Sequence, residues 1–148
     1  MNSVVIDTPV GPVEITECDG AVISIIETTR RPDVAECCDV LALAVGQLGE
    51  YFSGRRREFS FPVSPRGTDF QLAVWKEVRQ TPYGSRRTYG DIALSLGNPS
   101  AVRAVGSAVG KNPLLFVVPC HRIVAAHGPG GFRLGPDAKC ALQNLETR

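Results

Sequence analysis

Cys120 and His121 stand side by side in Phe116-Val117-Val118-Pro119-Cys120-His121-Arg122-Ile123-Val124, which delivers a thiol and an imidazole together at the end of an apolar run. Residues 116–118 read as a short buried strand and Pro119 as its stop, because proline has no N–H to give to a ladder. Cys120 then falls where a rigid apolar element ends and a turn begins, a placement suited to holding a nucleophile in fixed geometry. The thiolate is the reactive form, and an ordinary cysteine is mostly protonated at neutral pH. A nucleophilic one therefore needs a base or a cation close by, and His121 and Arg122 are the adjacent candidates. On residue types alone a core role stays open, since cysteine is among the most buried residues and sequence neighbours often point in opposite directions.

The elements that must position this pair can be taken in chain order. Val4–Thr8, Val13–Thr16 and Ala21–Thr28 are β-branched segments separated by Pro9-Val10-Gly11-Pro12 and Asp19-Gly20, the pattern of an antiparallel meander. Pro32 suits a first helical turn, and Val34, Cys37 or Cys38, Leu41, Val45, Leu48 and Phe52 recur at three- and four-residue steps, which predicts an amphipathic helix on that sheet. Phe59–Pro65 is a strand or an extended linker. Two prolines and Gly67 mark a domain boundary near residue 65. Beyond it Thr68 or Asp69 caps a helix carrying Phe70, Val74, Trp75 and Val78. Thr88-Tyr89-Gly90-Asp91 has the form of a capping box with Asp in place of Glu, opening a helix that ends at Gly97. Asn98 and Pro99 start another that runs to Gly110, and the pair reads as a helix-turn-helix. The expected fold class is α+β: a small N-terminal α/β domain over residues 1–65, antiparallel sheet plus helix, followed by a mostly helical domain over residues 66–148.

The second helix of that pair is rich in small residues, Ser100-Ala101-Val102-Arg103-Ala104-Val105-Gly106-Ser107-Ala108-Val109. It lacks the Asn, Gln or repeated Arg that read base edges, so either a tightly packed core helix or a surface made for close approach fits it.

Pro119-Cys120-His121-Arg122, with Val118 before and Ile123-Val124 after, resembles the active-site signature of the O6-alkylguanine-DNA alkyltransferases, the methylated-DNA-protein-cysteine methyltransferases. The likeness continues through Gly67-Thr68-Asp69-Phe70-Gln71, Val74-Trp75, Thr81-Pro82-Tyr83-Gly84, Thr88-Tyr89-Gly90-Asp91-Ile92-Ala93, Arg103-Ala104-Val105-Gly106, Lys111-Asn112-Pro113 and the stretch from Gly130-Gly131 to Leu145-Glu146. The resemblance implies direct-reversal repair of double-stranded DNA. The alkyl group of O6-alkylguanine, and of O4-alkylthymine, passes irreversibly to Cys120 with no cofactor and no metal. It implies His121 as the base, Glu146 as its orienting carboxylate, Tyr89 as donor to guanine N3, and Asn112 as the tie between the cysteine turn and the DNA-binding helix. DNA contact would come from Arg103, which fills the stack when the base is flipped out, with Thr88, Ala101, Ala104, Gly106 and Ser107 around it. Phe132, Arg133 and Leu134 would line the substrate pocket. Here the chain departs from the family, whose loop carries an aromatic followed by small residues; bulk turned inward at Arg133 and Leu134 implies a preference for methyl over larger groups, and an Arg133 turned outward to a phosphate is the alternative. A non-enzymatic lesion binder like the alkyltransferase-like proteins is the alternative; those replace the cysteine that this chain keeps.

Formal net charge is only +1, but the halves differ: residues 1–65 carry 5 Lys/Arg against 10 Asp/Glu, and residues 66–148 carry 11 against 5. The basic half holds the cysteine signature, as a protein meeting phosphates with little sequence preference requires. Five cysteines, an odd number, fit a reduced compartment better than a disulfide framework. The only histidines, His121 and His127, lie far from Cys37 and Cys38, so the N-terminal zinc of some family members has no matching ligands here and the pair reads as buried thiols. No stretch has leader or membrane character, which predicts a cytoplasmic protein, and the expected state in solution is a monomer.

Overall fold

The computed structural model describes residues 1–33 and 38–148, and these form two compact units, Met1–Arg66 and Gly67–Arg148. In the first unit β1 (Asn2–Ile6), β2 (Val13–Cys18) and β3 (Ala21–Glu27) make an antiparallel meander in that order. Alternation along β2 buries Val13, Ile15 and Glu17, and a bulge between Thr16 and Glu17 shifts the register toward β3. Helix α1 (Asp39–Phe52) lays Leu41, Ala44, Leu48 and Tyr51 inward, steps of three and four that build one apolar stripe. Ala44 and Tyr51 take the places that the sequence pattern assigns to Val45 and Phe52, one residue along the same helix. Residues 62–64 run beside β3 as a parallel bridge at Val63, with Val22 N donating to Pro62 O and Ser64 N donating to Val22 O, both at 2.9 Å.

The helix begins at Asp39, with Cys38 at its N-cap, and not at Pro32. Asp33 explains why the chain is not helical there. Its N–H donates to the Val5 carbonyl at 3.0 Å and its carboxylate accepts the Val5 N–H at 2.7 Å, so it covers the open edge of β1. Val34 and Cys37, counted in the helical pattern, lie outside the described residues; Cys38 is only half-buried.

In the second unit α2 (Asp69–Arg79) is capped by Thr68 in a reciprocal box with Gln71 and buries Val74, Trp75 and Val78. Gly67 is required where it stands, because a Cβ there would lie 2.6 Å from the Trp75 ring. A two-residue strand β4 (Arg87–Thr88) leads into α3 (Tyr89–Ser95), whose cap is the Thr88–Asp91 box read from the sequence. Helix α4 (Val102–Gly110) starts three residues later than Pro99, since Asn98–Ala101 close a turn through Ala101 N to Asn98 O. It packs against α2 and α3, and Trp75 Nε1 donates to the Ala108 carbonyl at 2.8 Å.

Residues 116–118 are a buried turn rather than a strand. Phe116 has φ +72°, and Val117 N and Val118 N bond back to Leu115 and Leu114 carbonyls. An apolar run encodes burial, and burial alone does not choose between strand and turn. The chain then passes through one 3₁₀ turn, Cys120–Arg122, into β5 (Ile123–Val124) and ends in α5 (Pro136–Glu146). Strand β5 pairs in parallel with β4, Arg87 opposite Ile123 and Thr88 opposite Val124, and this short ladder sets the start of α3 beside the cysteine turn. Among the described residues no helix is long and apolar enough to cross a membrane.

Candidate active site

Cys120 Sγ lies in the wall of a cavity of about 360 Å³ in the second unit, within the size range of small-molecule sites. Tyr89 from α3, Gly106, Val109 and Gly110 from α4, Asn112, and Gly131, Phe132 and Arg133 from the loop before α5 complete the lining. The sequence folds to this shape because the β4–β5 ladder joins the α3 cap to the cysteine turn, while Asn112 ends α4 against the same turn. Asn112 Nδ2 donates to the Val118 carbonyl at 2.8 Å and to Cys120 Sγ at 3.2 Å, and its Oδ1 accepts the Leu114 N–H. One buried amide thus fixes both the turn and the sulfur.

His121, next in the chain after the cysteine, donates from Nε2 to Glu146 Oε2 at 2.6 Å, both side chains being buried. A carboxylate can only accept, so this bond sets the proton on Nε2 and leaves Nδ1 as the accepting nitrogen of the ring. Arg122 does not turn toward Cys120. Its Nε reaches Glu146 Oε1 at 2.8 Å and its Nη2 reaches Oε2 at 3.0 Å, a bidentate pair on the far side of the carboxylate. Gln143 Nε2 donates to the His121 carbonyl at 3.0 Å, and the Phe132 ring stands edge-on to His121 with centroids 6.3 Å apart.

Burial pushes the Cys120 thiol up from its ordinary value, against the Asn112 hydrogen bond and the Lys139 and Arg133 cations that pull it down. Burial likewise pushes His121 down, opposed by the bond to Glu146 and its charge. Both shifts favour the uncharged forms, so the resting pair is a thiol beside a neutral imidazole. Tyr89 is raised, first by burial and also by Cys120, against a backbone bond from Gly131, and so keeps its phenolic proton for donation. Gly130 has φ +73° and passes so close to Tyr89 that a Cβ would sit 2.8 Å from the phenol oxygen.

Of the residues named from sequence, Cys120, Asn112, Tyr89, Gly106, Phe132 and Arg133 line one cavity, while His121 and Glu146 pair with each other outside that lining. Arg103, Ala104 and Ser107 lie on the exposed face of α4, and Ala101 is its half-buried N-cap. Thr88 spends its hydroxyl on the α3 cap. Leu134 is half-buried and does not line the cavity, because the loop turns at Gly135 (φ +94°) and Pro136 already belongs to α5. Arg133 does line it, and Nη1 reaches across to the Asn112 carbonyl at 3.2 Å. Sequence reasoning missed Lys139. This buried lysine donates to the Ile123 carbonyl at 2.6 Å and the Gly131 carbonyl at 2.9 Å, tying the pocket loop to β5, and burial pushes it down from its ordinary value. Its signal was the i, i+3, i+7 stripe of Lys139, Leu142 and Glu146 on α5.

The family described as 6-O-methylguanine DNA methyltransferase, DNA binding domain, matches residues 69–148. A methylated-DNA–protein-cysteine methyltransferase of Mycobacterium tuberculosis is 41% identical over 148 residues, covering 95% of this chain and 89% of its own length. An inducible protein of the same name from Bacillus subtilis is 46% identical over 103 residues, covering 69% of this chain and 58% of its own. Among solved structures, Mycobacterium tuberculosis OGT in complex with DNA superposes with TM-score 0.89 at 37% identity, covering 99% of this chain and 93% of that one. The Mycobacterium tuberculosis O6-methylguanine methyltransferase superposes with TM-score 0.88 at the same identity, over 98% and 92%.

Proposed function

The chain belongs to the 6-O-methylguanine DNA methyltransferase family, and on that premise we propose how its own residues carry the reaction. It is a direct-reversal DNA repair protein, a methylated-DNA–protein-cysteine methyltransferase that moves an alkyl group from O6-alkylguanine in DNA to Cys120. The observation that carries the reading is the cysteine itself: Cys120 lines the cavity with its sulfur held by Asn112, and the residue after it, His121, is bonded to Glu146.

When an O6-alkylguanine occupies the cavity, His121 Nδ1 takes the thiol proton, directly or through one water, and the sulfur attacks the alkyl carbon in line with the C–O6 bond. The S–C bond forms as the C–O6 bond breaks, and the electron pair passes to the purine. Tyr89 donates a hydrogen bond to N3 and offsets that charge, and the proton held by His121 then passes through solvent to the dealkylated purine, which leaves neutral guanine in the DNA and a thioether on Cys120. Glu146 holds the imidazole in the Nε2–H tautomer and stabilises its transient charge. Nothing in this set cleaves a thioether, so each molecule acts once. The non-enzymatic lesion-binding alternative is disfavoured by the retained, hydrogen-bonded Cys120.

The base reaches the sulfur by leaving the duplex. Helices α3 and α4 act as the helix-turn-helix, the small face of Ala104 and Ser107 lies against the DNA, and Arg103 fills the vacated stack with a planar cation. Contacts of this kind go to phosphates and sugars, which gives little sequence preference and supports action on O4-alkylthymine as well. The protein works as a monomer of two domains. The free thiols of Cys18, Cys38, Cys120 and Cys140 fit a reducing cytoplasm. Intact-mass spectrometry after mixing with an oligonucleotide bearing one O6-methylguanine tests the reading. A gain of one methyl mapped to Cys120, absent in Cys120→Ser, is expected; methylation of Cys18, Cys38 or Cys140 in its place would overturn it.

A further inference from the structure

Thr81-Pro82-Tyr83-Gly84 has so far no function, yet three of its four residues converge on one buried ion pair. Arg122 Nη1 donates to the Thr81 carbonyl at 2.8 Å. The Arg122 guanidinium lies over the Tyr83 ring, 5.5 Å from its centroid. Gly84 N–H donates to Glu146 Oε1 at 3.2 Å. Gly84 has φ +75°, and a Cβ there would come within 3.1 Å of the Glu146 carbonyl oxygen, so the turn is shaped for close approach to that residue.

Glu146 therefore accepts four hydrogen bonds, from His121 Nε2, Arg122 Nε, Arg122 Nη2 and Gly84 N. Only one comes from the imidazole. From this geometry we infer that Arg122, gripped by the Thr81–Gly84 turn, is a positioning residue that divides the charge of Glu146 and so keeps His121 a neutral base in the resting protein. The inference rests on the assignment of His121 as the base.

A buried carboxylate with a lone imidazole drives that imidazole to its cationic form, since nothing else compensates the charge. An imidazolium cannot take the proton of Cys120. With a permanently charged guanidinium on both carboxylate oxygens, Glu146 still orients Nε2–H but no longer requires a cationic partner. Of the groups near His121, Lys139 from α5 lowers it, as Arg122 does, Cys120 precedes it as a thiol, and the loop before α5 presents the uncharged ring of Phe132.

Single-turnover methyl transfer, measured at saturating protein across the acid-to-neutral range, reads this out. Wild type loses rate as pH falls through the titration of His121, and His121→Gln abolishes that limb. In Arg122→Met the limb moves to higher pH by about one unit, the low end of what one neighbouring charge does. Its rate falls less on the alkaline plateau, where His121 is neutral in both proteins, than at acid pH, and DNA affinity is unchanged. Arg122→Lys, which keeps the cation, leaves the limb near its wild-type position, and Tyr83→Leu gives a smaller displacement of the same sign if Arg122→Met does not fold. A uniform loss at every pH in the Arg122 and Tyr83 variants, with the limb unmoved, would make these residues scaffolding only. A limb that survives in His121→Gln would instead overturn the assignment of the base.

Discussion

Glu146→Gln changes one buried atom and no volume, and the hydrogen bonds around it dictate the result. His121 Nε2, Arg122 Nε, Arg122 Nη2 and Gly84 N, which bond the carboxylate, are all donors. If the amide nitrogen takes the Oε1 position it faces Arg122 Nε and Gly84 N, two donors that cannot change. At the Oε2 position it faces Arg122 Nη2 and His121 Nε2, and the histidine can adapt by moving its proton to Nδ1. The second arrangement has one donor clash in place of two and is favoured. It presents Nδ1–H to the thiol, the tautomer that cannot accept a proton. The single-turnover rate at neutral pH should fall by about 10²- to 10⁴-fold, the share of a positioned general base. Removing the charge also strands the buried Arg122 cation, at a cost of about 3 kcal/mol. For a unit the size of Gly67–Arg148 that lowers the melting temperature by roughly 12 °C or more. The assay is rapid-quench methyl transfer from an O6-methylguanine duplex below the variant's transition, with melting followed in parallel and DNA affinity measured separately. A rate loss below about tenfold in a folded variant would refute the claim that Glu146 sets the tautomer of a catalytic base.

Arg103→Ala should slow transfer from duplex DNA far more than from free O6-methylguanine, because only the duplex leaves a gap to fill; equal losses on both substrates would make Arg103 structural. Gly130→Ala adds a Cβ at a positive φ and 2.8 Å from the Tyr89 hydroxyl, so it should displace Tyr89 and reduce the transfer rate while lesion binding survives, as quench kinetics and gel shifts would record. Arg133 bridges the cavity to the Asn112 carbonyl, and Arg133→Gly should speed inactivation by O6-benzylguanine more than by O6-methylguanine, whereas Leu134→Gly should change neither. Comparison of the two inactivation rates checks both variants.

The parts of the fold that the sequence discloses are those set by local chemistry. The Thr88–Asp91 and Thr68–Gln71 caps are written in adjacent side chains, and the structure forms both. The meander is equally local, since alternation and turn residues specify it together. What sequence cannot disclose is direction. Arg122 follows the cysteine and reads as its electrostatic neighbour, yet a 3₁₀ turn rotates it onto Glu146, 24 residues away. Lys139 on a helix reads as solvated until the helix face is known to be buried. Phe116–Val118 reads as a strand because apolar composition reports burial and nothing about pairing. Pro32 reads as a helix start because the use of Asp33 on a strand edge is a tertiary fact. Arg133 and Leu134 looked alike as bulky lid residues, and only the turn at Gly135 separates them.

The ladder between β4 and β5 joins positions 87–88 to 123–124, and the groups around the sulfur come from Thr81–Tyr89, α4, the 3₁₀ turn and α5. Contacts of such sequence separation close late on the way to the native state, after local helices have formed. Until they close, Cys120 is an ordinary thiol in a flexible chain, with neither base nor pocket. Reactivity toward alkylated guanine thus arrives in one cooperative step with the completed tertiary structure, and since each chain reacts once, the number of methyl groups captured is a census of molecules that have finished folding.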